Sequence, residues 1–385
     1  MLSVWRPSGQ ELATLNAEDF KDLGSVKKHL SEQCGFPVYL QKLMHGGRLL
    51  TDDAELEGAM DLQLVLLTIS SLPRRFNAVA ARDLASAAAK NHIHAVRCLL
   101  EAGAETDYGD WSGSWTALLL ASESGHLEIT RLLVEAGDDK DHKDRSRRTA
   151  LMLAFQSGQL EIARLLMEAG ADKDCKDESG MTALMLASHS CQLEIARLLV
   201  DAGADKDCGD ESGITALMLA SHSGHLEIAR LLVRAGADKD SSDWSGQTAL
   251  MFASGNCQFE VARLLVEAGA DKDREDKSGM TALMLASHSG HLAIARLLVR
   301  AGADKVFWCA PVQDRKDEFG MTAVIIASKS GHLDVARLLV QAGADKDCAD
   351  LSGRTALMFA SENGHWEVAR FLVEAGADNT GFWRL

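Results

Sequence analysis

A Thr-Ala-Leu tripeptide returns along this chain at a fixed interval, and no other feature constrains the fold as tightly. It stands at Thr116, Thr149, Thr182, Thr215, Thr248 and Thr281, each 33 residues after the last, then at Thr322 (as Thr-Ala-Val) and Thr355. Only the step from Thr281 to Thr322 differs, at 41 residues. The stretch Cys208 to Asp240, CGDESGITALMLASHSGHLEIARLLVRAGADKD, represents the whole unit. A period of this length marks stacked supersecondary units, none of which can bury its apolar face alone. Such an array grows its core lengthwise, so 385 residues need no single globular core.

Each unit reads as a helix, a turn, a second helix and a hairpin loop. Thr182 is placed to N-cap ALMLASHS, an Ala-rich, largely unbranched helix suited to close packing. LEIARLLV then puts Ile195, Leu198 and Leu199 on one stripe, with Glu194 and Arg197 outside it. Ala202-Gly203 supplies the C′ glycine, and Asp-Lys-Asp leads to the next hairpin finger. The strings TAL, SGHLEIARLLV and AGADKD resemble ankyrin repeats over about 300 residues, in eight copies. A degenerate ninth unit precedes them, keeping Leu84, Ala87, Asn91-His92, Arg97 to Leu100 and Gly103, with Arg82 where the capping Thr belongs. The resemblance implies an all-α ankyrin-repeat solenoid of about nine helix-turn-helix units over 77–380, with a tail at 381–385. The sequence departs from the family in places. Met replaces the family's His after Thr-Ala-Leu, which is expected to trade a polar bridge for soft apolar packing. Cys191 and Cys257 take the place of the turn glycine, and Arg147 that of a finger glycine. Eight residues, VFWCAPVQ, are inserted at 306–313.

Residues 1–70 follow another pattern. Leu2, Val4 and Trp5, a Pro7-Ser8-Gly9-Gln10 turn and Leu12 to Leu15 predict a hairpin. Asp22 is placed to cap a helix that buries Val26 and Leu30. Leu40 to Leu43 and DLQLVLLT predict two more strands, the last with Leu62, Leu64 and Leu66 on one face and Val65 and Leu67 on the other. Hairpin, helix and two strands make a small α+β β-grasp. VKKHLSEQCGFP, QKLMHGGRLL and LQLVLL resemble ubiquitin-like domains. That resemblance implies a module recognised by ubiquitin receptors or the proteasome, through a patch of Pro7, Met44 and Val65 with Gly47 nearby. TISSLPRRF follows where a conjugated modifier ends in diglycine, so the segment resembles a built-in domain, with 71–76 as a linker.

The net charge of −16 repels phosphate backbones and anionic lipid, which argues against nucleic acid and membrane surfaces as partners. No apolar run reaches the roughly 18 residues of a membrane span. The amino-terminal residues lack the basic and apolar regions of a secretory signal. Eight cysteines show no framework spacing, and Cys175, Cys208 and Cys348 share one repeat position, where neighbouring repeats lie too far apart for a disulfide. Free thiols point to a reducing compartment, so the expected location is cytoplasmic or nuclear.

No nucleophile elbow, Walker loop, HExxH or CxxC motif is present, and no cofactor is implied. His222/His225 and His288/His291 read as framework or solvated histidines rather than metal ligands, and Asp-Lys-Asp as a solvated acidic face. The informative signal is variation against a constant background. Three positions change between otherwise similar repeats: after the finger aspartate, before the Thr, and late in the first helix. In ankyrin-like arrays they line the concave, partner-gripping surface. The expected contact residues are Trp111, Trp115, Arg145, Arg148, Met181, His189, Ile214, His222, Trp244, Gln247, Lys277 and Met280, with Phe307 and Trp308 of the insert. The expected role is a non-enzymatic adaptor holding a protein partner, with the ubiquitin-like domain as a second recognition module. The alternative is a substrate-recruiting subunit of a ubiquitin ligase or proteasome-delivery system, its catalytic domain supplied in trans.

Overall fold

The computed structural model describes residues 1–5, 11–34, 37–54, 60–69, 75–107, 115–304 and 320–378. The chain divides into two compact units, Met1–Glu178 and Ser179–Leu385.

The first unit begins with a five-stranded mixed sheet: β1 (Leu2–Trp5), β2 (Glu11–Leu15), β3 (Gln41–His45), β4 (Arg48–Leu49) and β5 (Met60–Leu66). The strand order is β2-β1-β5-β3-β4; β1 and β5 run parallel and the other pairs antiparallel. Alternation along the strands turns Leu2, Val4, Leu43, Leu62 and Leu64 to one face, where Leu23, Val26 and Leu30 of α1 (Leu23–Cys34) meet them. Asp22 caps α1 as expected: Ser25 N–H donates to its Oδ1 at 2.7 Å, and this bond holds the Asp22 carboxyl below its usual range. Buried Lys27 is paired with Asp52. One helix laid across a mixed sheet is the β-grasp that the hydrophobic pattern predicts.

The sheet packs directly on the first helix pair, α2 (Arg75–Ala89) and α3 (Ile93–Glu101). Cys98 of α3 joins the sheet's apolar core. Ile69 N–H donates to the Ala102 carbonyl at 2.7 Å. Tyr39 donates its hydroxyl to Asp83 at 2.8 Å, and its ring lies against Phe76. Burial pushes both acids of that pair upward. Arg82, at the capping-Thr position, lies inside α2, so this first helix is longer than its counterparts.

Two regular helix pairs complete the unit: α4 (Ala117–Ser124) with α5 (Leu127–Glu135), and α6 (Ala150–Gln156) with α7 (Leu160–Glu168). Among the described residues, the second unit holds six pairs. They are α8 (Ala183–His189) with α9 (Leu193–Asp201), α10 (Ala216–Ser223) with α11 (Leu226–Arg234), and α12 (Ala249–Gly255) with α13 (Phe259–Glu267). Then come α14 (Ala282–His288) with α15 (Leu292–Arg300), α16 (Ala323–Lys329) with α17 (Leu333–Gln341), and α18 (Ala356–Glu362) with α19 (Trp366–Glu374).

Local chemistry explains the regularity. Thr215 Oγ1 accepts from Met218 N–H at 3.4 Å, and the same cap forms at Thr116, Thr149, Thr182, Thr248, Thr281 and Thr322. Thr355 makes no such bond. The methionine after the cap is less purely apolar than expected. Met185, Met218 and Met251 Sδ accept the backbone N–H of their own capping Thr at 3.4–3.5 Å, so a weak polar bridge persists. The turn histidines tie repeats together, His225 Nε2 donating to the His189 carbonyl at 3.1 Å and His291 Nε2 to that of Gly255 at 3.1 Å.

Among the described residues, four other than glycine hold left-handed backbone: Asn91, Arg147, Cys191 and Cys257, at φ 59°, 60°, 59° and 63°. Each of the last three stands where other repeats carry glycine, at a cost of about 1 kcal/mol. Cys98, Cys175, Cys191, Cys208 and Cys257 are not joined in disulfides. Cys348 is disulfide-bonded, which corrects the expectation of free thiols throughout. The distance argument covered pairs within the Cys175, Cys208, Cys348 ladder, and outside that ladder it has no force. Among the described residues no helix is long and apolar enough to cross a membrane.

Candidate functional site

The finger hairpins are stiff because each carries its own staple. Asp243 Oδ1 accepts from Ser245 N–H at 2.9 Å and Gln247 N–H at 2.8 Å, and Asp210 and Asp276 repeat the pattern. Adjacent fingers are also joined. Trp244 N–H donates to the Ser212 carbonyl and Lys277 N–H to that of Ser245, both at 2.8 Å. This closeness requires the finger glycine: a Cβ on Gly246 would stand 2.9 Å from the backbone of Lys277. The indole of Trp244 lies over Gly213 yet remains 70% exposed.

The second-unit residues expected to make contact fall along this ladder. Met181, Ile214, Gln247 and Met280, each before a capping Thr, are partly exposed. Trp244 and Lys277 at the tips are exposed, as are His189 and His222 at the ends of α8 and α10. The ring of His222 stands edge-on to Phe252 and takes a hydrogen bond from Asn256 at 3.1 Å. The result is a rigid strip alternating apolar and polar side chains, with one large aromatic ring projecting from it.

In the first unit the corresponding strip is built differently. Arg148 Nε and Nη2 bond Asp144 Oδ2 at 2.9 and 2.8 Å, its Nη1 reaches Gln156 at 3.3 Å, and its guanidinium lies over Trp115 at 5.7 Å. Asp144 is buried, and its Oδ1 also accepts the Arg148 backbone N–H. Trp115 and Arg148 are therefore brought together, with Arg145 exposed on the same finger.

Two features lay hidden in the sequence. The Asp-Lys-Asp acids do more than meet solvent. Asp238 N–H donates to Asp207 Oδ1, Asp271 N–H to Asp240 Oδ1 and Asp304 N–H to Asp273 Oδ1, all at 2.7 Å. These carboxylates stitch each loop to the next, and their recurrence at the repeat period was the available signal. The second is Asp138, which stands where Ala171, Ala204, Ala237 and Ala270 stand in later repeats. It is 1% exposed, and among the described residues no donor reaches either oxygen. Burial, then the neighbouring Asp107 carboxylate, push Asp138 up to about 8. Its departure from the repeat's alanine was legible.

A family model described as ankyrin repeats (3 copies) matches residues 84–177, 169–243, 235–307 and 308–381. The chain belongs to the ankyrin-repeat family. Among solved structures it is similar to the ankyrin repeat domain of Bcl-3, described as a unique member of the IkappaB protein family. The two are 30% identical with a TM-score of 0.52, over 56% of this chain and 96% of that one. No curated protein matches the chain.

Of the remaining expected contacts of this ankyrin protein, Trp111, Phe307 and Trp308 lie outside the described residues, as does Pro7 of the sheet patch. Met44 and Val65 share the sheet face opposite the core, since Met44 pairs with Gln63 and Val65 with Lys42. Both are partly exposed; Gly47 is exposed in the turn beside them, and Leu49, paired with Met44, is 57% exposed. Among the described residues no three His, Cys, Asp or Glu side chains converge to hold a metal ion.

Proposed function

We propose that this protein is a non-enzymatic adaptor whose ankyrin fingers and first-helix ends grip a protein partner. The observation that carries the reading is Trp244, 70% exposed on a finger fixed by hydrogen bonds to its neighbour. A large apolar ring held in water by a rigid support is what an interface anchor requires, because little ordering cost remains to be met on binding. Ile214 and Met280 extend the apolar contact, and His222, Gln247 and Lys277 supply polar ones. Membership of the ankyrin family supports the reading at the level of class. The exposed thiols of Cys191 and Cys257 accord with a cytoplasmic or nuclear setting, whereas the disulfide at Cys348 runs against one.

Affinity capture followed by binding measurements with the purified partner tests this. Trp244→Ala should weaken the partner by about tenfold or more while leaving the melting temperature unchanged. Equal affinity in the variant would sink the reading.

A second proposal concerns residues 1–70 as a ubiquitin-like recognition domain. The β-grasp order and the apolar face of Met44, Leu49 and Val65 support it. Delivery of a held protein to ubiquitin receptors or the proteasome, or service as a recruiting subunit of a ligase, would follow from that domain engaging its receptors.

A further inference from the structure

The chain carries a formal charge of −16, yet one finger tip reads Arg145-Ser146-Arg147-Arg148. Three features shape this tip, and the second, a left-handed arginine, is peculiar to it among the described fingers. First, the acids of its loop are turned onto backbone N–H groups. Asp139 accepts from Asp141 N–H at 3.0 Å, Asp141 from Asp172 N–H at 2.8 Å, and Asp144 from Arg148. Second, Arg147 holds φ 60° where Gly180, Gly213, Gly246, Gly279, Gly320 and Gly353 hold φ 62–85° in the other fingers. Its backbone N–H donates to the Asp144 carbonyl at 2.9 Å, while its side chain is exposed and among the described residues makes no hydrogen bond or ion pair. Third, Arg148 is fixed in place by Asp144, Gln156 and the Trp115 ring.

Arg354 provides the contrast. It occupies the same finger position, is held by Asp350 in the same way, and lies over the Phe359 ring at 4.3 Å. There, however, Glu362 stands 3.9 Å from the guanidinium, and Leu351 and Gly353 flank it. In the basic tip Gln156 replaces that carboxylate, and Arg145 and Arg147 replace the neutral flanks. The exposed acid bonded to this tip through its backbone is Glu178, whose N–H donates to Ser146; no ion pair joins it to Arg147.

We propose that the Arg145–Arg148 fingertip docks an acidic segment of the partner protein, with Arg147 reaching out to its carboxylates and Arg148 presented as a pre-set guanidinium. The proposal deepens the adaptor reading by giving the partner a chemistry: a carboxylate-rich stretch in addition to the segment that meets the apolar strip. A guanidinium suits this task because its planar fork bonds carboxylate in two places and is weakly hydrated. The surrounding negative charge repels acidic chains elsewhere, so the tip also sets where such a segment can land.

The test is fluorescence anisotropy on the full chain with a labelled Glu/Asp-rich peptide at low salt, against its Gln/Asn counterpart. Arg147→Gly restores the residue of the other fingers and should hold or raise the melting temperature, which separates lost binding from misfolding. The wild type should bind the acidic peptide and not the neutral one, and Arg147→Gly combined with Arg145→Gln should weaken it about tenfold. Unchanged affinity in that double variant would overturn the proposal. So would tighter binding of a single-stranded DNA of equal charge, or a salt-sensitive self-association that the double variant dissolves. Trp244→Ala should leave this peptide's affinity intact, so failure of the adaptor reading and failure of the basic tip give different patterns.

Discussion

The sheet at residues 1–69 and the helix pairs at 75–378 bury their cores by opposite means. In the sheet, Leu2 and Val4 lie beside Leu62 and Leu64 because β1 runs parallel to β5, at the far end of the segment. In the repeats, Leu199 and Leu232 are fully buried by elements of their own or an adjacent unit. The sheet therefore forms or fails as one body, whereas a repeat array sums local units and nearest-neighbour interfaces. The first helix pair sits on the boundary between these regimes. It meets a repeat through α4 and the sheet through Tyr39, Ile69 and Cys98.

Paired core truncations break the comparison most directly. Leu43→Ala and Leu232→Ala each remove a fully buried leucine and should each cost about 3 kcal/mol. Their reach should differ. Hydrogen exchange should show Leu43→Ala loosening all five strands and α3, through Cys98. Leu232→Ala should loosen α10, α11 and the pairs beside them, with protection recovering further along. If Leu232→Ala exposed every helix of its unit equally, the nearest-neighbour account would fail.

A sharper effect lies at Asp138. Its folded-state value, about 8, stands above the ordinary 3.8, so the folded chain prefers the protonated acid. The sign follows from linkage: stability is greatest below about pH 4 and is lost as pH rises toward 8. Asp138→Ala, the residue of later repeats, should leave stability nearly unchanged at pH 4 and raise it by several kcal/mol at pH 8. Urea denaturation across that range measures it, and parallel pH profiles for variant and wild type would exclude a buried acid there.

These differences also explain what could be read in advance. The repeats were legible because each position is written eight times: the Thr caps, the Ile195-Leu198-Leu199 stripe and the Gly203 terminus stand out by recurrence. The β-grasp is written once, and strand alternation with a capping aspartate was enough for its order but not for the two-residue β4 or the contact of Tyr39 with Asp83. What escaped was pairing between groups that look self-sufficient in sequence. The Asp207 carboxylate resembles a solvated acid until the Asp238 N–H is seen against it. Met218 resembles an apolar filler until the Thr215 N–H meets its sulfur. At the candidate site, variation picks out positions that differ between repeats, but substitution of a finger glycine by Arg147 does not by itself tell that its guanidinium is exposed.

The left-handed cysteines give the smallest effect and the cleanest test of local bookkeeping. Cys191 sits at φ 59° with its side chain exposed, at a turn where Gly224, Gly290 and Gly331 hold φ 74–78°. Cys191→Gly removes the steric cost of a Cβ in that conformation but gives the unfolded chain more freedom, and these oppose each other. The first is roughly 1 kcal/mol and the second is of similar size but smaller, so a net gain of about 0.5 kcal/mol is expected. A Cβ at Gly224 would meet the Gln258 side chain at 2.1 Å, whereas Cys191 already accommodates its own, so the reverse change Gly224→Cys should destabilise by more than Cys191→Gly stabilises. Equal and opposite shifts in urea midpoint would mean that backbone conformation alone governs these turns; the predicted asymmetry would assign the excess to the neighbouring turn residue.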